Sequence, residues 1–355
     1  MQERWECDSP KGMVGFDIDV TIGKQLDVVA LKRTDLVEIR NYAAFLAGTA
    51  RELFHAGREL YPVTTCPCCG ISTDRAKEAV RIFDVAYANC GGCGHAFVRE
   101  QPTPETLRTV FRESEGHSAA YIDRASIEIR QTQVIRPKIA WLLEIFNRLR
   151  GRNPTRALDV GAGGGHFVAG LQHMGITAEG IEISAASRRF ASEAFGINLS
   201  ERDFLADVEG GHYYELVTFW GLLEYTPHPR ALLAKARRRI SPDNGMLVVE
   251  VPRLNCLGTA VQAQTPDTVA RHLDPTTHVN TFSDTSLATA LVESGFNPVA
   301  AWYFGMDVYE LFVQIALRLD NPDVIDQCVD LIPALQASLD QGRQCDDIIV
   351  AAVPV

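Results

Sequence analysis

Ala157 to Phe167 reads ALDVGAGGGHF, and this stretch decides the fold: an apolar run ends in an acidic residue and passes at once into a glycine-rich turn. Ala157, Leu158 and Val160 supply a strand, with Asp159 near its carboxyl end. Gly161, Gly163, Gly164 and Gly165 let the backbone approach a ligand that side chains would exclude. The spacing predicts a helix from about His166. Glu182, in AEGIEIS, follows Asp159 by 23 positions and ends the next apolar run, where an open α/β sheet presents a carboxylate to ribose hydroxyls. A turn of this kind takes a nucleotide-like ligand.

Beyond residue 150 the pattern predicts strands near 156–160, 177–183, 197–199, 215–220, 245–251, 297–303 and 347–353, alternating with helices. That alternation reads as a parallel, doubly wound sheet. The last two strands are separated by two helical runs, MDVYELFVQIALRLD and PDVIDQCVDLIPALQASLDQ, a helical insert over about 306–340. Ahead of the first strand, PETLRTVFRE reads as a helix, ESEGHSAAY as a polar loop, and Ser126 to Arg150 as a long helix that Pro137 should kink or restart. Near the start, VGFDIDVTI alternates, LDVVAL follows, and Thr34 is placed to cap a helix running to His55.

The glycine spacing is G-x-G-x-G, where dinucleotide folds usually carry G-x-G-x-x-G. With Asp159 ahead of it, it resembles class I S-adenosylmethionine (SAM) methyltransferases of the small-molecule group. SERDFLAD puts Asp203 and Phe204 where that family binds adenine. YELVTFWGLLEYTPHPRALL is similar to its fourth strand and following loop, RRRISPDNGMLVVEVP to its next helix, turn and fifth strand, and HVNTFSDTSLATALVESGF to its closing H-x-x-x-F-S pattern. The resemblance covers about residues 130 to 300. It implies a Rossmann-like α/β sheet that holds SAM through Asp159, Gly161, Ala162, Gly163 and Gly165 of the turn, Glu182 and Ile183 after the second strand, then Asp203, Phe204 and Trp220.

Five of the nine cysteines lie between Cys66 and Cys93. Cys66 and Cys69 form CPCCG, Cys90 and Cys93 form CGGCG, and the 20 residues between these knuckles match the spacing of a four-thiolate zinc ribbon. Gly70 and Gly94 follow the second cysteine of each knuckle and let the turn aim backbone N–H groups at sulfur, which fits a metal better than a disulfide framework. Cys68 and His95 are substitute ligands. Four thiolates close the coordination sphere, so the zinc is structural. The chain divides into an α/β appendage at 1–61, packed on the ribbon or on a second subunit, the ribbon at 62–100, a helical linker or lid at 101–150, and the SAM-binding domain at 151–355.

The 355 residues, 46% hydrophobic, fill more than one ordinary core. No apolar run reaches 18 residues and the start, MQERWECDSPKG, is charged, so neither a membrane span nor a signal peptide is indicated and cytoplasm is the default compartment. A formal charge of −11 disfavours a nucleic-acid partner. The acceptor expected is a small molecule, and whether the insert shapes its pocket or a homodimer contact stays open.

Methyl transfer needs the acceptor held close and in line, and a hydroxyl or acidic carbon also needs a base. The loops after the fourth and fifth strands offer Glu224, Tyr225 and His228, then Arg253, His272 and His278. The family's Glu-His stands here as Glu224-Tyr225, so that histidine is missing. His278 matches the H-x-x-x-F-S pattern and is the first choice of base, with Glu224 and His228 as orienting groups. A four-cysteine ribbon before such a core resembles methyltransferases of sugar, polysaccharide and secondary-metabolite pathways. Oxygen is slightly favoured over carbon as acceptor, because the longer second domain expected of sugar C-methyltransferases is lacking. Two other readings stay open: a nicotinamide-dependent oxidoreductase, and a zinc-ribbon nucleic-acid methyltransferase.

Overall fold

The computed structural model describes residues 1–9, 12–32, 35–55, 57–113, 122–206, 213–268 and 272–355. Thr34 and all but the first residue of the polar loop at 113–121 lie outside them. The chain begins with two antiparallel strands, β1 (Gln2–Ser9) and β2 (Gly12–Ile22). The Asp35 carboxylate then caps the helix Leu36–Ala50 by accepting from Val37 and Glu38 N–H, and a π-turn extends it to His55.

The cysteine-rich segment holds β3 (Tyr61–Pro62), β4 (Lys77–Ile82), β5 (Val85–Asn89), β6 (Ala96–Val98) and β7 (Glu100–Gln101), with β3 paired to β7. The core strands are β8 (Arg156–Val160), β9 (Thr177–Ile181), β10 (Leu216–Trp220), β11 (Met246–Pro252), the short β12 (Asn280–Thr281), β13 (Phe296–Phe304) and β14 (Asp347–Pro354). One eight-stranded sheet runs β1-β2-β13-β14-β11-β10-β8-β9, and a second runs β12-β6-β5-β4.

In the large sheet β9, β8, β10 and β11 are mutually parallel, and β14 reverses between β11 and β13. Both faces are covered, so these strands are predominantly apolar and alternate residues enter opposite cores. Leu158, Val217, Phe219, Leu247 and Val249 pack on one side. Ala157, Leu216, Met246 and Val248 pack on the other. The expected strand at 197–199 is reduced to one bridge, Ser200 to Ile181, held by two backbone bonds. The N-terminal pair was expected to pack on the ribbon or on a second subunit. Instead β2 runs parallel to β13 and extends the large sheet.

The long helix ahead of β8 begins as a 3-10 turn at Arg124–Ser126 and widens into a π-turn at Gln131–Ile135. It resumes as Arg136–Arg150 with Pro137 in its first turn, where a missing N–H costs least. The insert between β13 and β14 forms helices at Asp307–Leu319, Asp323–Cys328 and Ile332–Gln341. Among the described residues no helix is long and apolar enough to cross a membrane.

Candidate active site and metal centre

A cavity of about 680 Å³ opens over the carboxyl ends of the parallel strands, the edge at which open α/β sheets bind ligands. Asp159, Gly161, Ala162, Gly163, Glu182, Ile183, Asp203, Phe204 and Trp220 all line it. Gly165 does not: it caps the following helix at φ 77°, and a Cβ there would come within 2.8 Å of the Ala191 Cβ, so its role is close helix packing. Gly163, at φ 51°, would point a Cβ into open space, which leaves room for a ligand against the turn.

The carboxylates at the strand ends are fixed from behind. Glu182 accepts from Gly163 N–H and from Ser184 N–H, each at 2.7 Å. Each of its oxygens keeps a second lone pair. Asp159 accepts from the Thr218 hydroxyl at 2.7 Å, and burial pushes its carboxyl up to about 7. Asp203 accepts from Leu205 N–H at 2.8 Å and from Arg108 at 2.9 Å. Phe204 lies in the core with its ring edge-on to Phe219.

The acceptor-side candidates meet in the same cavity: Glu224, Tyr225, His228, His272 and His278 line it, and Arg253 does not. Arg253 is committed to structure, bonding Asp284 at 2.7 Å and the Cys345 carbonyl at 2.8 Å. His272 bonds the Arg253 carbonyl through Nε2, so it too anchors its loop. His278 sits edge-on to Tyr225, ring centroids 4.9 Å apart, and its Nδ1 lies 2.9 Å from the His272 carbonyl. A carbonyl only accepts, so Nδ1 carries the proton. His228 is exposed at the start of the helix Pro229–Arg239.

Several charged residues in the cavity were not anticipated from sequence. Lys138 and Glu250, both buried, form an ion pair, and the Lys138 ammonium stands 4.6 Å from the Trp220 ring centroid. Because β2 is parallel to β13, it delivers Lys24 to the same edge, 4.6 Å over the Phe304 ring, where burial pulls its ammonium down to about 8. The reversed β14 starts there with Asp347, which burial pushes well above the carboxylate range. The signal was a lone acid inside an apolar strand, VVEVP, and the Asp346-Asp347 pair before the last one. Trp220 Nε1 and Glu224 Oε2 are buried polar atoms without a hydrogen-bond partner among the described residues. Such atoms are costly unless a ligand pairs them, and both belong to residues lining the cavity.

Glu224 gives a pH test. Burial pushes its carboxyl from 4.5 up to about 8. Between those values the folded chain holds a proton that the unfolded chain has released, so stability from this group is full below 4.5 and lost as pH rises through 8. Glu224→Gln is expected to lose less stability than the parent chain between about pH 5 and about pH 8, read from denaturation midpoints. Equal losses would show that Glu224 is ionised when folded.

The sulfurs of Cys66, Cys69, Cys90 and Cys93 lie within 4.8 Å of one another, all four residues buried. Cys66 and Cys93 sulfurs are 3.6 Å apart, and Cys69 and Cys90 sulfurs 3.7 Å. Tetrahedral Zn–S bonds of about 2.3 Å require S···S separations of roughly 3.8 Å, so this set fits one zinc ion. Cys68 and His95 are outside the group: Cys68 is fully buried, and His95 turns its Nε2 to the Asn280 side chain at 2.9 Å.

Sheet order, glycine turn and strand-end carboxylates together define the class I methyltransferase architecture. Residues 130–301 match the family model described as a methyltransferase domain. The ubiquinone biosynthesis O-methyltransferase of Bordetella avium is 28% identical over 123 residues, covering 32% of this chain and 49% of that one. The chain thus spans about half the length of this curated relative. Magnesium protoporphyrin IX methyltransferase from Synechocystis PCC 6803, solved with S-adenosylhomocysteine (SAH), superposes with a TM-score of 0.47 at 12% identity, covering 71% of this chain and 100% of that one. The 1,6-didemethyltoxoflavin-N1-methyltransferase of Burkholderia thailandensis gives 0.45 at 15% identity, over 75% and 98%.

Proposed function

We propose that this protein binds SAM in the cavity and transfers its methyl group to a small polar acceptor, oxygen ahead of carbon, with a structural zinc in the ribbon. The observation that carries the reading is convergence: the glycine turn, Glu182 and Asp203 line the same cavity as Glu224, Tyr225 and His278. When bound, SAM supplies an electrophilic methyl on a sulfonium. Glu182 offers its remaining lone pairs to the ribose hydroxyls, Asp203 accepts from the adenine amine, and Gly163 leaves space for the cofactor against the turn. Trp220 Nε1 and Glu224 Oε2 pair with ligand groups. His278, oriented by the His272 carbonyl, takes the acceptor proton. The relation to a curated O-methyltransferase supports oxygen.

Calorimetry with SAM, SAH and NAD tests the cofactor. The expected result is binding of SAM and SAH, and none of NAD. Glu182→Ala should weaken SAH binding by about 1–3 kcal/mol, the cost of leaving ribose hydroxyls without a charged acceptor. Binding of NAD with none of SAM or SAH would overturn the assignment.

A further inference from the structure

The ribbon's sheet is completed by a strand from the acceptor loop. β12 begins two residues after His278 and pairs antiparallel with β6, Asn280 opposite Phe97 and Thr281 opposite Ala96. Val98 N–H donates to the Val279 carbonyl at 2.9 Å. From β5, the buried Tyr87 hydroxyl donates to the His278 carbonyl at 2.7 Å. The fully buried Asn280 side chain then bridges three segments. Its Oδ1 accepts from His95 Nε2 at 2.9 Å, and its Nδ2 donates at 2.5 Å to the carbonyl of Thr226, midway between Glu224 and His228. His95 is in turn fixed to the second knuckle, because its own carbonyl accepts from Cys90 N–H at 2.8 Å.

We infer that Asn280 is a positioning residue which, with His95 and Tyr87, couples the closed Cys66, Cys69, Cys90 and Cys93 turn to both acceptor loops, so that metal in the ribbon sets the placement of His278 and of residues 224–228. The inference rests on the reading of those loops as the acceptor side of the site. The carbonyls of Thr226 and His278 each take a donor positioned by the ribbon. Buried carbonyls that lose their donors pay a desolvation penalty, so opening the knuckle loosens both loops together. The cofactor turn at 157–167 makes none of these bonds, which separates the two halves of the cavity.

Hydrogen exchange on the full chain with SAH tests the coupling, comparing zinc-loaded protein, chelator-treated protein, and zinc-loaded Asn280→Ala and Tyr87→Phe. Metal depletion should speed exchange about tenfold or more in 272–282 and 222–228 and leave 157–167 unchanged. Asn280→Ala should keep its zinc and loosen 222–228, while Tyr87→Phe, which removes only a hydroxyl, loosens 272–282. The His278 ring Cε1–H resonance should move in all three samples relative to zinc-loaded parent protein, which a purely stabilising role of the ribbon would not cause. Unchanged protection of both loops on depletion, or an unmoved His278 resonance in Asn280→Ala, overturns the coupling. If depletion unfolds the whole chain, the two zinc-loaded variants decide alone. SAH calorimetry on the same samples keeps the readings apart: failure of the parent chain to bind SAH refutes the cofactor assignment, and the exchange data still report the coupling.

Discussion

His278→Ala is expected to lower turnover by ~10²-fold or more while SAH affinity stays within about twofold, the usual contribution of a positioned base. The separation follows from geometry. His278 stands on the segment leading to β12, against Tyr225, with its Nδ1 turned to the His272 carbonyl. Its Nδ1–H is committed to the His272 carbonyl, which fixes the orientation of the ring. Turnover is read with the acceptor identified from labelled SAM, and affinity by calorimetry. A fall of less than a few-fold would make His278 a loop anchor and leave catalysis to proximity or to another group.

Cys90→Ser should abolish metal binding and destabilise the chain by ~5 kcal/mol or more, since structural zinc contributes ~10 kcal/mol of apparent binding free energy in small domains. Elemental analysis should find one zinc per parent chain and none in the variant. From the cysteine spacing alone, the damage would stay in a separate unit. The packing argues for a wider effect: all five ribbon cysteines belong to the same hydrophobic cluster as Phe282, Leu287 and the core strands. β12 would also lose its partner strand. A metal-free parent chain that keeps full stability in chelator would end the zinc reading.

The core strands were legible because a strand buried on both faces is mostly apolar, and because glycine, acid and apolar run occur together at the ends of β8 and β9. The four cysteines were legible from spacing. What sequence hid is long-range. β1 carries Trp5 and Cys7 among charged residues and reads as a polar start, yet it pairs along β2. β2 alternates as expected, but nothing local says that it joins β13 and brings Lys24 into the cavity. His95 reads as a candidate ligand because it lies two residues after Cys93. Its partner, Asn280, lies 185 positions away. Lys138 and Glu250 are likewise a pair that only the sheet edge unites.

The most direct test of the proposed reaction is to supply the purified protein with methyl-labelled SAM, a fractionated small-molecule extract and, separately, RNA. The expected result is label in one low-molecular-mass product, with one SAH formed per methyl transferred and the label lost in His278→Ala. Label found only in RNA, or no consumption of SAM with any fraction by a chain that binds NAD, would contradict it.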